Sequence, residues 1–106
     1  MNSKSDEEIH LSVMSDELLS ALKDVRLRTF YEGTLGMGGH AKLLLESHPE
    51  IESYIGCDRD PQALEIAGRR LKEFEGKLHL NRGSFSDVEK HLRSAGKEKA
   101  DGFFLT

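Results

Sequence analysis

The sequence predicts an α/β fold, in which a sheet of parallel strands is covered by helices on both faces. Short apolar runs typical of strands alternate with amphipathic helical runs of about 8 to 14 residues. A glycine cluster follows the first strand, and Asp60-Pro61 starts a later helix with a capping acid and a proline at the first helical position. Because parallel strands need crossover connections, this alternation indicates right-handed βαβ units.

Each predicted element has a local signal. Ser15 precedes acids and apolar residues at helical spacing, which predicts the first helix. His48-Pro49 ends the second helix, and Gly76 ends the third. The helices are predicted at about 15–24, 39–46, 60–76 and 87–95, and the strands at 28–35, 54–57, 77–80 and 102–105.

The length of 106 residues predicts a single domain with one modest core. Residues 1–9 are polar and are expected to form a flexible arm, so the predicted domain comprises residues 10–106. The fourth strand ends on Phe103-Phe104-Leu105 with no helix after it. Because an uncovered apolar edge strand invites aggregation, we expect an incomplete domain: a fragment, a truncated gene product, or half of an assembly that self-associates through this strand.

Composition and charge argue against several classes of function. The net charge of −4 disfavours a general nucleic-acid binder but is compatible with a local basic patch. With no apolar run near the roughly 20 residues of a membrane span and no leader peptide, we expect no membrane partner and a cytoplasmic location; a chloroplast or mitochondrion is the alternative. The single cysteine, Cys57, is predicted to be a core residue, and the five histidines lack metal-ligand spacing, so no metal is expected.

The stretch at residues 32–40, Glu-Gly-Thr-Leu-Gly-Met-Gly-Gly-His, carries the most chemical information. Ligands of open α/β sheets bind at the carboxyl ends of strands, where glycines let backbone N–H groups approach closely. Gly36, Gly38 and Ala41 have the spacing of a dinucleotide-binding loop, and Asp58 follows about 20 residues later, where a ribose-binding acid is expected. The pattern favours a nucleoside ligand over a plain tight turn.

Glu32 distinguishes between two kinds of nucleoside. It lies beside the glycine loop, where NAD places its pyrophosphate, and two like charges about 5 Å apart repel strongly at low dielectric. S-adenosylmethionine carries an ammonium and a sulfonium there instead, and Glu32 would attract both. The sequence therefore favours a methyl donor over a dinucleotide. The competing interpretation of Glu32 is a loop cap or a solvent-facing side chain.

Two further residues complete the predicted pocket. Asp58 follows an apolar strand and can accept hydrogen bonds from both ribose hydroxyls, whereas Asp60 fits the helix cap. Phe85 follows the third strand and can cover an adenine face, with an ordinary core aromatic as the competing interpretation. Basic residues of the third helix could contact RNA, but a solvated helix face is favoured for them: Arg69, Arg70 and Lys72.

Four ordered motifs are shared with a known family. Its glycine motif is matched by residues 32–40, its Asp-Arg-Asp-Pro string stands at residues 58–61, and its Gly-x-Phe-Ser string stands at residues 83–86. A looser match begins at His10. On these motifs the chain resembles the N-terminal part of the RsmH (MraW) family, the S-adenosylmethionine-dependent methyltransferases that modify N4 of a cytidine in small-subunit ribosomal RNA.

The resemblance implies a fold and a set of site residues. The fold is a Rossmann-like class I methyltransferase half-sheet, truncated after the fourth strand. Gly38, Gly39 and His40 are expected at the methionine end of the cofactor, Asp58 at the ribose and Phe85 at the adenine. The predicted cofactor-binding residues are Glu32, Gly36, Gly38, Gly39, His40, Asp58 and Phe85, with no catalytic residue among them.

The chain departs from the family pattern at two positions. The family has Asp where this chain has Glu32, and it continues from the fourth strand into Asp-Leu-Gly-Val-Ser-Ser, whose Asp position is occupied here by Thr106. We expect methylation of small-subunit ribosomal RNA, free or in an immature ribosomal particle. The isolated chain is expected to be inactive or nearly so, because nothing in it would hold a cytosine out of its stack, in line with the methyl group.

Two alternatives to a methyltransferase remain open on the sequence. One is a non-enzymatic binding or regulatory fragment that pairs with another chain by strand addition at its fourth strand. The other is half of an NAD-type oxidoreductase, which the charge of Glu32 disfavours.

Overall fold

The computed structural model describes residue 20 and residues 22–104. The predicted arm at residues 1–9 and most of the predicted helix at 15–24 lie outside the described residues, as does Leu105. The elements are β1 (Thr29–Glu32), α1 (Gly39–Ser47), β2 (Ser53–Asp58), α2 (Pro61–Arg70), β3 (Leu78–Arg82), α3 (Val88–Ser94) and β4 (Gly102–Phe104), with 3₁₀ segments at Lys72–Lys77 and Phe85–Asp87. None of the helices in this described part has the length and apolar character needed to cross a membrane.

The strands form one parallel sheet with the order β3-β2-β1-β4, which confirms the predicted fold class. Because β1 pairs with β2 on one side and with β4 on the other, the chain changes its direction across the sheet after β3. In the registers, Glu32 stands opposite Gly56 and Phe104, and Asp58 stands opposite Arg82. The strands therefore end at a common edge, which is where open α/β sheets bind ligands.

Two apolar cores lie on opposite faces of the sheet, since neighbouring residues of a strand point to opposite sides. The larger core contains Phe30 and Tyr54, whose rings stack with centroids 5.4 Å apart, and is covered by α1 and α2. The smaller core contains Tyr31 and Cys57 and is covered by α3 through Leu92. Helices on both faces and a buried Cys57 are as the sequence predicts.

Two element boundaries differ from the predicted ones by three residues or more. The helix expected to run to residue 76 ends at Arg70, because the chain tightens into the 3₁₀ segment, in which the Phe74 N–H donates to the Leu71 carbonyl. The first strand stops at Glu32 rather than continuing to Leu35, whose N–H donates to the carbonyl of Cys57 in the neighbouring strand. The predicted start of α2 is confirmed, with Asp60 Oδ1 accepting the Gln62 N–H at 2.9 Å.

Two carboxylates from later in the chain fix the start of β1. Asp101 Oδ2 accepts the N–H groups of Thr29 and Arg28 at 2.9 and 2.8 Å, and these hydrogen bonds lower the pKa of Asp101. Glu50 Oε2 accepts the Leu27 N–H at 3.0 Å and lies 2.7 Å from His48 Nδ1. These two contacts lower the pKa of Glu50 to about 2. The beginning of β1 is thus held by charge-assisted hydrogen bonds, far from the edge at which the strand ends.

Candidate functional site

Two neighbouring cavities lie at the edge where the strands end. The first has a volume of about 250 Å³ and is lined by Gly33, Thr34, Asp58, Arg59, Gly83, Ser84 and Phe85. The second has a volume of about 380 Å³ and is lined by Thr34, Leu35, Gly36, Met37, Gly39, His40 and Arg70. Because Thr34 lines both, the two cavities adjoin at this residue.

The glycine loop between β1 and α1 contributes residues to both cavities. Gly36 and Gly38 have positive φ angles of 59° and 88°, a region in which residues with a Cβ are strained. A Cβ on Gly38 would also lie 3.1 Å from Leu71 Cδ1 and 3.3 Å from Ala67 Cβ, so this glycine packs the loop against α2. Gly38 lines neither cavity, whereas Gly36 and Gly39 line the second.

Asp58, the last residue of β2, joins that strand to the glycine loop. Its Oδ2 accepts the Gly36 N–H at 2.8 Å, and its Oδ1 accepts the Asp60 N–H at 3.0 Å. Each carboxylate oxygen has a second lone pair, so both can accept one further hydrogen bond from a ligand in the first cavity. Asp58 therefore lines the first cavity and bonds to the glycine loop, and its predicted role as a ribose-binding acid stays a prediction.

Glu32 is buried, with only 1% of its surface exposed, and lines neither cavity. The Tyr54 hydroxyl donates to Oε1 at 2.6 Å, and His40 Nδ1 lies 3.2 Å from Oε2. Burial raises the pKa of Glu32, and the hydrogen bonds from His40 and Tyr54 partly offset that rise. Glu32 therefore contacts a residue that lines the second cavity, His40, without lining that cavity itself. The His40 ring also packs edge-on against the Phe104 ring, with centroids 4.7 Å apart.

Phe85 lies at the first cavity and not in the core. Its side chain is 49% exposed, and it belongs to neither apolar cluster of the described residues. It opens the 3₁₀ segment that follows β3, so its ring stands on the same edge of the sheet as Asp58. An exposed aromatic ring beside a carboxylate matches the pairing predicted for an adenosine site.

Two arginines at the cavities were not predicted as site residues. Arg59 lines the first cavity, and Arg70 lines the second, where its Nη1 donates to the Met37 carbonyl at 3.2 Å. The sequence placed Arg70 on a solvated helix face, because no local pattern shows that the glycine loop reaches across to α2. The signal available in the sequence is the helical spacing, because Arg70 follows the apolar Ala67 by about one helical turn.

A buried polar network supports the floor of the first cavity. The Tyr31 hydroxyl lies 2.8 Å from His91 Nδ1 and 3.2 Å from Cys57 Sγ, and the Cys57 thiol donates to the Gly33 carbonyl at 3.1 Å. Burial raises the pKa of Tyr31 and lowers the pKa of His91, so both side chains are neutral at pH 7. The network links α3 to Gly33, a residue that lines the first cavity. In the described part of the chain, no three potential metal ligands are grouped together.

The β3-β2-β1-β4 sheet, the glycine loop after β1 and the acid that ends β2 define a Rossmann-like methyltransferase fold. A solved structure of a Pyrococcus horikoshii protein proposed to be an RNA methyltransferase has a similar fold, with a TM-score of 0.67 over 85% of this chain and 42% of that one, at 19% identity. The chain belongs to the MraW methylase family, whose family model matches residues 7–106.

Curated relatives agree with this membership. The chain is 49% identical over 80 residues to the ribosomal RNA small subunit methyltransferase H of Protochlamydia amoebophila, covering 76% of this chain and 25% of that one. It is 45% identical over 96 residues to the Desulfovibrio desulfuricans protein of the same name, covering 91% and 29%. The chain thus spans 25 to 29% of the length of these two relatives. The family membership removes the NAD-type alternative that the glycine spacing had left open.

Proposed function

We propose that the chain binds S-adenosylmethionine and forms the methyl-donor site of a methyltransferase that modifies N4 of a cytidine in small-subunit ribosomal RNA. The observation that carries this proposal is the meeting of Asp58 and Phe85 in one cavity beside the glycine loop. The substrate comes from the names of the two relatives, which act on small-subunit ribosomal RNA. We place this activity in the cytoplasm.

The residues at the two cavities fit this cofactor. Asp58 would accept the ribose hydroxyls, Phe85 would cover the adenine, and Gly39 and His40 would contact the methionine end. Gly36 and Gly38 would shape the loop between them, and buried Glu32 would hold His40 in place. The two cavities adjoin at Thr34 and together match the roughly 300–1,000 Å³ of typical small-molecule sites. When bound, the cofactor supplies an electrophilic methyl group.

Calorimetric titration with S-adenosylhomocysteine tests this site. We expect a single binding site, weakened by roughly 1.5–3 kcal/mol in Asp58→Ala through the loss of charge-assisted hydrogen bonds. Asp58→Asn serves as the control, because its amide oxygen can still accept the Gly36 N–H while the charge is gone. No binding by the unsubstituted chain would overturn the proposed function, and an unchanged titration for Asp58→Ala would remove Asp58 from the site.

We also propose that the 106 residues alone transfer methyl groups slowly or not at all. Transfer to a cytosine amino group requires the base to be unstacked and held in line with the methyl group. The described residues at the cavities are mainly the glycine loop and the groups assigned to the cofactor. Incubation of the purified chain with methyl-labelled cofactor and immature small-subunit particles should give little label, and clear turnover would refute this part.

A second candidate function is a binding fragment that pairs through β4. Among the strands of the described residues, β4 is the last on one side of the sheet, and its Phe103 side chain is 50% exposed. An edge strand offers unpaired backbone groups to another chain. Sedimentation velocity separates the two functions: a monomer that binds S-adenosylhomocysteine supports the first, whereas a stable dimer without cofactor affinity supports the second.

A further inference from the structure

Three exposed arginines lie at the cavities or at the strand end beside them. Arg59 lines the first cavity, Arg70 lines the second, and Arg82 ends β3 opposite Asp58 in the register. All three therefore stand near the edge at which the strands end. We name this set of residues, Arg59, Arg70 and Arg82, the arginine rim.

No carboxylate in the described part of the chain pairs with the arginine rim. The two acids that flank Arg59 in the sequence have other partners, since Asp58 accepts two backbone N–H groups and Asp60 caps α2. Among residues 22–104, the hydrogen-bond partner of the Arg70 guanidinium is a neutral acceptor, the Met37 carbonyl. Arg82 lines neither cavity and belongs to the rim because it ends β3 opposite Asp58, whereas Arg69 neither lines a cavity nor ends a strand. The rim therefore combines three accessible positive charges in a chain whose net charge is −4.

We infer that the arginine rim binds phosphate groups of the RNA substrate next to the methyl-donor site; this inference rests on the proposed function. A planar guanidinium donates two parallel hydrogen bonds to a phosphate and stays charged at any physiological pH. Phosphate contacts position a nucleic acid without reading its sequence. Because the arginines stand near the cavities, phosphate contacts with them would bring the backbone of a single-stranded RNA close to the transferred methyl group.

Fluorescence anisotropy with a labelled, cytidine-rich single-stranded RNA of 12 nucleotides tests the inference across a series of KCl concentrations. We expect Arg59→Gln and Arg82→Gln each to raise Kd about three- to tenfold, and each to reduce the slope of log K against log salt by about 0.7. Arg93→Gln, an exposed arginine of α3 on another face, is the matched control and should change neither quantity. Arg70→Gln should behave as the other rim variants do, while Arg70→Lys should retain most of the salt dependence.

Three results would overturn the inference: no RNA binding by the unsubstituted chain at low salt, rim variants with the Kd and slope of the parent, or an equal loss in Arg93→Gln. Titration of each variant with S-adenosylhomocysteine distinguishes failure of the inference about the arginine rim from failure of the proposed function. RNA binding that depends on the arginine rim, in a chain that does not bind the cofactor, would contradict the proposed function and leave the inference about the rim standing. Cofactor binding with rim-independent RNA binding would contradict the rim alone.

Discussion

The carboxylate of Asp58 accepts the backbone N–H of Gly36 at 2.8 Å, so the acid that ends β2 is bonded directly to the first glycine of the loop after β1. The same side chain is assigned to the ribose, and it therefore has both a structural and a ligand-binding role. This double role is the reason that Asp58→Ala needs Asp58→Asn beside it, because alanine would also release the loop.

Replacing Phe85 by alanine should weaken S-adenosylhomocysteine binding with little change in stability. The ring is already half exposed, so its removal uncovers little core, whereas an aromatic contact with adenine is worth about 0.5–1.5 kcal/mol. Phe103→Ala is the matched control, since Phe103 is 50% exposed but lines neither cavity. Calorimetry on both variants checks the prediction, and equal losses of affinity would show that Phe85 has no specific role.

Substituting Gly38 by alanine should destabilise the fold, and substituting its neighbour Gly39 should not. Gly38 has a φ of 88° and would place a Cβ 3.1 Å from Leu71, which we expect to cost about 1–3 kcal/mol. A Cβ on Gly39 meets no atom within 4 Å, and at this first position of α1 we expect alanine to change the stability by less than about 1 kcal/mol. Urea unfolding of both variants measures the difference, and a Gly38→Ala protein as stable as the parent would contradict the packing described.

Glu50 should stabilise the fold at neutral pH and lose that effect in acid. Its folded-state pKa of about 2 lies below the ordinary value of 4.5, so its contribution is complete above pH 4.5 and disappears as the pH falls towards 2. Allowing for partial exposure to solvent, we expect Glu50→Gln to cost about 1–2 kcal/mol at pH 7 and almost nothing near pH 2. Thermal unfolding measured as a function of pH tests this prediction, with exposed Glu52→Gln as the control. If the unfolding temperatures of the parent and of Glu50→Gln change in parallel with pH, Glu50 does not stabilise the fold through its charge.

Glu32 should show the opposite dependence on pH. Because burial raises its folded-state pKa above 4.5, its stabilising contribution is complete below pH 4.5 and is lost as the pH rises through the folded-state value. The stability of Glu32→Gln relative to the parent should therefore increase from pH 4.5 to pH 7. Chemical unfolding at both pH values measures this change, and exposed Glu46→Gln should show none. A relative stability that falls over this range would mean that Glu32 is a favourable buried charge.

Local patterns in the sequence predicted the order of the elements and the glycine loop well. The alternation of strands and helices depends on short-range periodicity, and Asp60-Pro61 is a self-contained cap, so both are visible without coordinates. The approach of Asp58 to the loop also followed, because parallel strands end at one edge. The roles of the site residues in cofactor binding stay predictions.

The side-chain environments of the site could not be predicted in the same way. Glu32 is paired with Tyr54 from the next strand, and which face of β1 it occupies depends on the register between the strands. Arg70 reaches the loop carbonyl of Met37 across 33 residues, and Tyr31 meets His91 across 60. Contacts over such separations arise from tertiary packing, which periodicity and capping signals do not encode.

The shared position of Thr34 between the two cavities has a practical consequence for inhibitor design. A small aromatic fragment bound beside Phe85 and a polar fragment bound beside His40 would have their nearest atoms on either side of a single residue. A short linker passing over Thr34 would then convert two weak fragments into one tight compound, since tethering gives the second fragment an effective concentration in the millimolar range.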